Sequence, residues 1–420
     1  MSSSPQPVVL PPGGIERRAD YYPPDSVNFI LSLGRALHSF GYEAHRLEEV
    51  LGLAASHLGI EAQFFSTPTS IFAAFGRLDK QRTFLIRVEP GDVELGKLAL
   101  IDRVVTSVLH GEVTPSAGSE RIAEIAAGRP RYGKVLTTLA ACVASGAAAR
   151  FLGGGLTEIL VAAGLGFVIG LLALVAARYA AMARVFQPTA AFSAALLVYV
   201  AGALIGPFGV FTATLAGIIV LVPGLTLTIA MTELSTRNLV SGTARLSGAF
   251  MVFIGIAFGV ALGNNIGGQI FGAAIPSDPV ALPAWTNIVA LLTAPVAFGI
   301  LFQAHPDDGP WIVLTGVLAF YGSRLGAVAF GPELGVFVGA LTVGVTSNIL
   351  ARLRDRPTTI TLVPGLLILV PGSIGYRSLS SLLDREVVLG VETAFRMILI
   401  AMALVAGLLA SNVVAPPRRL

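Results

Sequence analysis

The pentapeptide Leu-Val-Pro-Gly-Leu occupies residues 221–225 and recurs at residues 362–366, 141 positions further along the chain. Both copies lie inside long apolar runs, and in the second run a further predicted break, Pro371-Gly372, follows within two turns. Proline removes a backbone N–H donor and clashes with the preceding turn, so the freed backbone groups must find partners within the protein, because lipid offers none. Paired breaks in matching helices of two halves therefore predict an internal repeat with a binding cavity between the broken helices.

The sequence after residue 133 accommodates about ten apolar runs, each long enough to cross the roughly 30 Å of a bilayer core. Their approximate spans are 134–151, 156–177, 189–206, 208–231, 244–264, 284–303, 311–328, 333–351, 359–380 and 389–413. Each group of five carries one copy of the pentapeptide, and an odd number of helices makes the two copies enter the membrane from opposite sides. We therefore predict a polytopic all-α membrane protein with about ten transmembrane helices in a 5+5 inverted repeat.

Composition supports lipid as the main solvent of the chain. Of its 420 residues, 54% are apolar and 13% are charged, and the mean hydropathy is +0.78. These values exclude a soluble globular protein, a disordered chain and a fibre. No basic cluster with interleaved aromatic residues is present, so nucleic acid is not expected as a partner.

Charge divides the chain into a polar part and a membrane part. Residues 1–130 hold 15 acidic and 12 basic residues, whereas residues 131–420 hold 10 acidic and 16 basic residues. The polar part contains helical periodicity and about three alternating strand patterns, within Glu61–Phe75 and Arg82–Glu89. We predict a disordered tail at 1–24, a small cytoplasmic α/β domain at 25–130 and membrane repeats at 131–280 and 281–415.

The loops indicate the orientation of the predicted helices. With the N-terminus inside, twelve Arg and Lys residues fall on the inner side and four on the outer side. Cytoplasmic loops carry the excess of basic residues, so both termini are expected in the cytoplasm.

The helix breaks also predict where a substrate binds. Half-helix N-termini attract carboxylates, and free carbonyl groups accept an ammonium group. Arg324, about two thirds along its span, could hold a carboxylate or extend to the outer surface. The candidate substrate-binding residues are Pro223, Gly224, Thr226, Thr228, Arg324, Pro364, Gly365, Pro371 and Gly372.

Two carboxylates in the membrane part are candidates for proton coupling. Glu233 follows Gly224 by nine residues, and Glu392 lies within the last span with Arg396 four residues later. Each has an alternative interpretation, since Glu233 could be a solvated helix end and Glu392 could form a structural i, i+4 ion pair with Arg396.

Several motifs together resemble a known family. The phrase GYEAHRLEE at Gly41–Glu49 is followed by Leu58-Gly59-Ile60, by Thr67-Pro68-Thr69 before a strand, and by ten spans with the repeated pentapeptide. Over residues 25–412 this order resembles the threonine/serine exporter family of bacterial inner-membrane proteins. The resemblance implies a cytoplasmic N-terminal domain on ten membrane helices, and export of threonine and serine driven by the proton motive force.

The remaining motifs favour no chemistry other than transport. Cys142 is the only cysteine, and the sequence contains neither a phosphate-binding Gly-rich loop nor a Gly-x-Ser-x-Gly elbow. No metal, cofactor or enzymatic activity is expected. The expected partners are a small amino acid, protons and the lipid bilayer, with homo-oligomerisation left open. The alternative is a membrane sensor, or a membrane-embedded enzyme, with a ligand-binding cytoplasmic domain.

Overall fold

A computed structural model describes residues 23–89, 91–272, 277–383 and 385–417. The tail predicted over residues 1–24 lies almost wholly outside these ranges. The described chain is mainly helical, and its one sheet lies near the N-terminus.

The polar N-terminal part, here called the α/β segment, contains four helices and three strands. The helices are α1 (Pro24–Ser39), α2 (Ala44–His57), α3 (Leu95–Leu109) and α4 (Pro115–Ala127). The strands are β1 (Ala62–Thr67), β2 (Ser70–Phe75) and β3 (Arg82–Arg87), which form an antiparallel sheet in the order β1-β2-β3. The three strands predicted from alternation are therefore confirmed, and the predicted interruption at Pro68 falls in the β1–β2 turn.

The core of the α/β segment continues into the membrane helices. Phe29, Leu33 and Leu47 are fully buried at its centre. The same contiguous apolar cluster includes Ala304 and Val363, which lie far along the chain. The segment is consequently seated on the helix bundle by apolar burial, the dominant favourable term in folding.

Thirteen α-helices follow within the part of the chain that the structure describes. They are α5 (Lys134–Phe151), α6 (Leu156–Ala176), α7 (Ala180–Arg184), α8 (Phe186–Ile205), α9 (Val210–Gly217), α10 (Gly224–Ser235), α11 (Leu239–Phe271), α12 (Trp285–Leu301), α13 (Gly309–Phe330), α14 (Pro332–Arg354), α15 (Thr359–Leu367), α16 (Gly372–Leu383) and α17 (Val387–Val414).

Seven helical spans of the described residues are long and apolar enough to cross a membrane, and one of them, Thr359–Leu382, comprises α15 and α16 together. The number is eight if the bent pair α9 and α10 also counts as one span. The protein is thus a polytopic, mainly α-helical membrane protein. Helices α5 and α12 coincide with the predicted spans 134–151 and 284–303 but are not among those seven. The count of ten and the inverted repeat stay predictions.

Helix α11 packs against α8 through a ladder of glycines. Gly255, Gly259, Gly263 and Gly267 recur every four residues and share one face of the helix. A Cβ atom added at Gly263 would lie 2.7 Å from the carbonyl oxygen of Phe192. Small residues at this spacing let helix backbones approach closely in lipid, where dispersion contacts replace the hydrophobic effect as the driving force.

Replacing Gly263 by Ala should therefore destabilise the bundle. Overpacking of this kind costs about 1–3 kcal/mol, so the melting temperature of the detergent-solubilised protein should fall. Gly248→Ala is the matched control, because the same helix leaves open space around Gly248. Equal melting temperatures for the two variants would show that the glycine ladder does not determine the packing.

Candidate functional site

Two broken helices cross at a pair of glycines. The first break separates α9 from α10, with a short 3-10 turn at Ile219–Leu221 between them, and α10 begins at Gly224. The second break separates α15 from α16, which begins at Gly372. A Cβ atom built on Gly372 would lie 3.4 Å from the Cα of Gly224 and 2.6 Å from Cγ1 of Val222. Side chains at either glycine would hold the two backbones apart.

The crossing pairs Pro223 with Pro371, and the predicted break at Pro364 is wrong. Helix α15 continues through Pro364. The hydroxyl of Thr315 donates a hydrogen bond of 3.2 Å to the carbonyl of Thr361 in the turn before the proline. This contact joins α13 to α15 in the turn before the proline. Gly365 packs against Val343, where an added Cβ would lie 3.0 Å from Cγ1.

The sequence itself contains a match that pairs Pro223 with Pro371. Residues 369–372 also read Leu-Val-Pro-Gly, 148 positions after residues 221–224. The break predicted at Pro371-Gly372 coincides with the interruption between α15 and α16. Its pairing with Pro223 was not predicted, because the five-residue match ends with Leu366 whereas Ser373 follows the later copy.

A cavity of about 590 Å³ lies beside the crossing. We call it the export cavity, after the role that is proposed for it below. Helices α16 and α17 supply most of its wall, and the first half of the membrane part contributes two apolar residues. The lining residues are Leu152, Phe211, Ser373, Ile374, Arg377, Ser381, Leu389, Glu392, Thr393 and Arg396. The lining thus combines two guanidinium groups, one carboxylate and three hydroxyl groups in a single cavity.

Contacts around the export cavity position its two arginines. The guanidinium of Arg377 lies 5.6 Å above the ring of Phe211. Arg396 forms an ion pair of 2.8 Å with Glu333, in the first turn of α14. The predicted ion pair between Arg396 and Glu392 is therefore wrong, because the arginine reaches across to another helix. Glu392 lines the cavity instead.

Glu233 lies away from the export cavity, at the contact with the α/β segment. Its side chain is fully buried. It accepts a hydrogen bond of 3.0 Å from the backbone N–H of Ala44, at the first residue of α2, and Arg245 Nε lies 3.2 Å from its carboxylate. The expected solvated helix end is thereby excluded. A carboxylate at a helix N-terminus is favourable, since it meets free N–H groups and the positive end of the dipole.

A second polar contact lies beside Glu233. The hydroxyl of Ser241, in α11, donates a hydrogen bond of 2.7 Å to the carbonyl of Ser66 in β1. His38 Nε2 lies 2.9 Å from the next strand carbonyl, that of Thr67. Burial lowers the pKa of His38 from 6.5, so the folded state favours neutral imidazole. The stability that this histidine contributes is present above pH 6.5 and decreases as the pH falls below it.

Two family models match the chain, and both describe threonine/serine exporters. The first covers residues 28–267 and the second covers residues 287–414. The chain belongs to the threonine/serine exporter family. Members of this family are transporters, not enzymes.

The family assignment is accompanied by more distant fungal relatives. Pheromone-regulated membrane protein 10 of Candida albicans is 26% identical over 83% of this chain and 33% of that protein. Proteins of the same name from Debaryomyces hansenii and Eremothecium gossypii are 25% and 26% identical, over 87% and 83% of this chain and 37% and 48% of the relatives. The chain thus spans less than half the length of these relatives. No solved structure matches.

The remaining predicted site residues include Thr228, Thr226 and Arg324. Thr228 is buried and donates a hydrogen bond of 3.1 Å to the carbonyl of Gly224 in its own helix. Thr226 is half-buried on α10 and does not line the export cavity. Arg324 is exposed, with its guanidinium 5.6 Å above the ring of Phe320.

The sequence did not predict three of the residues that line the export cavity, Arg377, Ser373 and Phe211. The described residues contain no group of three metal-ligating side chains.

Gly372→Ala should impair transport because the two breaks could no longer cross at their present distance. An overpacking cost of about 1–3 kcal/mol corresponds to a reduction of roughly 5-fold to 150-fold in a process that needs this geometry. The initial rate of substrate efflux from proteoliposomes measures the effect. Gly268→Ala is the control, since an added Cβ there meets its nearest neighbour at 4.0 Å. Parental efflux by Gly372→Ala would contradict the functional role of the crossing.

Proposed function

We propose that this transporter exports small hydroxylated amino acids, threonine and serine, by alternating access coupled to protons. The observation that carries the proposal is the lining of the export cavity, which offers charges of both signs and hydroxyl groups together. A zwitterion needs a partner for each charge, and a buried charge without a partner is costly. The family assignment supports the choice of substrate.

In the proposed complex the substrate carboxylate binds Arg377 and Arg396. A planar guanidinium suits a carboxylate because it can donate two parallel hydrogen bonds. The ammonium group binds Glu392, and the hydroxyls of Ser373 and Thr393 meet the substrate hydroxyl. These groups lie on α16 and α17, so the helix break at Pro371-Gly372 sets their position.

Glu392 provides a route to proton coupling in this proposal. Within the described lining of the export cavity it is the carboxylate available to the substrate ammonium group. A protonated Glu392 cannot form that ion pair, so a proton and the amino acid compete for one group. Competition for one site, reached from either side in turn, produces exchange of a proton for an amino acid.

The proposed architecture retains ten membrane helices in two halves, with both termini and the α/β segment in the cytoplasm. The crossing of the two Leu-Val-Pro-Gly breaks supports a repeat with an offset of 148 residues. Helix α17 has Asn412 near the α/β segment and Glu392 in the export cavity. These residues are roughly 30 Å apart at 1.5 Å per residue. The cavity therefore faces the side opposite the α/β segment, as an outward-facing state requires.

The α/β segment contacts both proposed halves and holds them together. In this role we call the segment the clasp. On one side Glu233 and Ser241, of the first half, bond to it. On the other side the carbonyl of Phe302 accepts a hydrogen bond of 2.9 Å from Leu95 N–H, and Ala304 and Val363 enter its core. Alternating access moves the halves relative to each other, so one set of contacts must open in each cycle.

Efflux of labelled threonine from proteoliposomes, with and without an imposed proton gradient, tests the function. We expect gradient-dependent efflux by the parent and at least a tenfold loss in Arg377→Gln and Glu392→Gln, because each removes one charged partner of the zwitterion. Arg324→Gln is the matched control, since that arginine, like Arg377, is exposed and lies over a phenylalanine ring but does not line the export cavity. If Arg377→Gln and Glu392→Gln keep the parental efflux rate while Arg324→Gln loses it, the substrate-binding site lies at Arg324 and not in the export cavity.

The Glu233→Gln variant tests two roles of Glu233 together. One is the attachment of the α/β segment to the first proposed half, and the other is proton coupling. Breaking a buried ion pair costs about 3–5 kcal/mol, because Arg245 is left without its partner, so the melting temperature should fall. The double variant with Arg245→Gln should recover part of this loss. If Glu233 also carries a coupled proton, efflux by Glu233→Gln should lose its dependence on pH. Lower stability with an unchanged pH profile would leave Glu233 as an anchor alone.

A further inference from the structure

A second cavity lies where the α/β segment meets the second half of the membrane part. We call it the clasp cavity. It encloses about 320 Å³ and is lined by residues of α2, α3, the α14–α15 connection and the end of α17. The lining residues used below are Tyr42, Arg46, Glu49, Asp102, Arg356 and Asn412.

Charge in the clasp cavity is balanced. The lining contains two guanidinium groups, of Arg46 and Arg356, and two carboxylates, of Glu49 and Asp102. A nucleotide or a phosphate would need an excess of positive charge, and a polyamine an excess of negative charge. Equal numbers suit a ligand that carries one charge of each sign. The volume lies at the lower end of the roughly 300–1,000 Å³ typical of ligand sites, which indicates a small molecule.

The wall on the α/β segment is ordered by contacts of its own. Arg46 Nε lies 3.6 Å from the carboxylate of Glu43, one turn earlier. Burial raises the pKa of Tyr42 to about 12, so its hydroxyl remains a neutral hydrogen-bond donor and acceptor. The backbone N–H of Tyr42 donates to Leu37 at 3.1 Å, which fixes the turn between α1 and α2.

The opposite wall belongs to the membrane helices. Asp355 adopts a left-handed conformation, with φ of 53°, at the end of α14, and the N–H of Arg356 bonds to the carbonyl of Ala351 at 3.1 Å. This turn directs Arg356 into the cavity just before α15 begins. Asn348 donates to the side chain of Asn412 at 3.1 Å and so joins α14 to the end of α17. A ligand in the cavity therefore contacts the clasp and the second half at the same time.

We propose that the clasp cavity is a second binding site for a free small amino acid, distinct from the export cavity. The ligand carboxylate binds Arg46 and Arg356, and its ammonium group binds Glu49 and Asp102. Bound ligand strengthens the contact between the α/β segment and the second half, and it biases the conformational equilibrium by its preference for the closed clasp. The choice of threonine and serine as probes rests on the proposed function, whereas the site itself does not.

Equilibrium binding of labelled threonine and serine to the purified full-length protein tests the proposal. The background is the Arg377→Gln/Glu392→Gln double variant, which disables the export cavity. We expect this background to bind one equivalent of amino acid, and Arg356→Gln within it to weaken binding at least tenfold. Arg356→Lys should recover part of the affinity, because it keeps the charge but loses the bidentate geometry. Arg354→Gln is the matched control, since Arg354 lies 5.2 Å above the ring of Trp311.

Either of two results would overturn the proposal. One is the absence of threonine and serine binding in the background variant, and the other is binding that neither Arg356→Gln nor Glu49→Gln weakens. Glu49 is exposed at the cavity rim, so its variant reports on binding even if Arg356→Gln fails to fold. Failure of threonine efflux by the parent, with one equivalent still bound in the background, would remove the proposed export function and leave this site in place.

Discussion

The close approach of Gly224 and Gly372 is the constraint on which the arrangement of the membrane part depends. Each glycine follows a proline and begins a new helix, so both helix interruptions lie where the two chains touch. Bare backbone at both positions lets the broken helices cross without intervening side chains. The same crossing fixes where α16 begins and therefore where Ser373 and Arg377 face the export cavity.

The sequence was sufficient to predict features that depend on local pattern. Alternation predicted the three strands, and apolar length predicted the membrane helices. Pairing was harder to predict, because the partner of a polar group is often distant along the chain. Ala44 N–H and Glu233 are 189 residues apart, and no periodicity connects them. Glu392 and Arg396 have ideal i, i+4 spacing, yet the arginine pairs with Glu333 because another helix brings that carboxylate closer.

The sequence prediction was wrong about one proline, Pro364, which was expected to break its helix. Pro364 and Pro371 occur in nearly identical local sequences, but only the second coincides with a helix break. The local sequence does not distinguish the two prolines, so the difference lies in the tertiary surroundings of each. A motif alone could therefore not decide between them.

The export cavity draws its chemistry from one half of the molecule, although both halves contribute a broken helix. Leu152 and Phe211 are its apolar contributions from the first half, whereas its charged and hydroxyl groups lie on α16 and α17. In the proposed repeat, one copy specialises in binding while both copies keep a helix interruption. The clasp cavity is also built against the second half. A ligand at either cavity would therefore act on the second half, and the first half would respond through the glycine crossing and through Glu233.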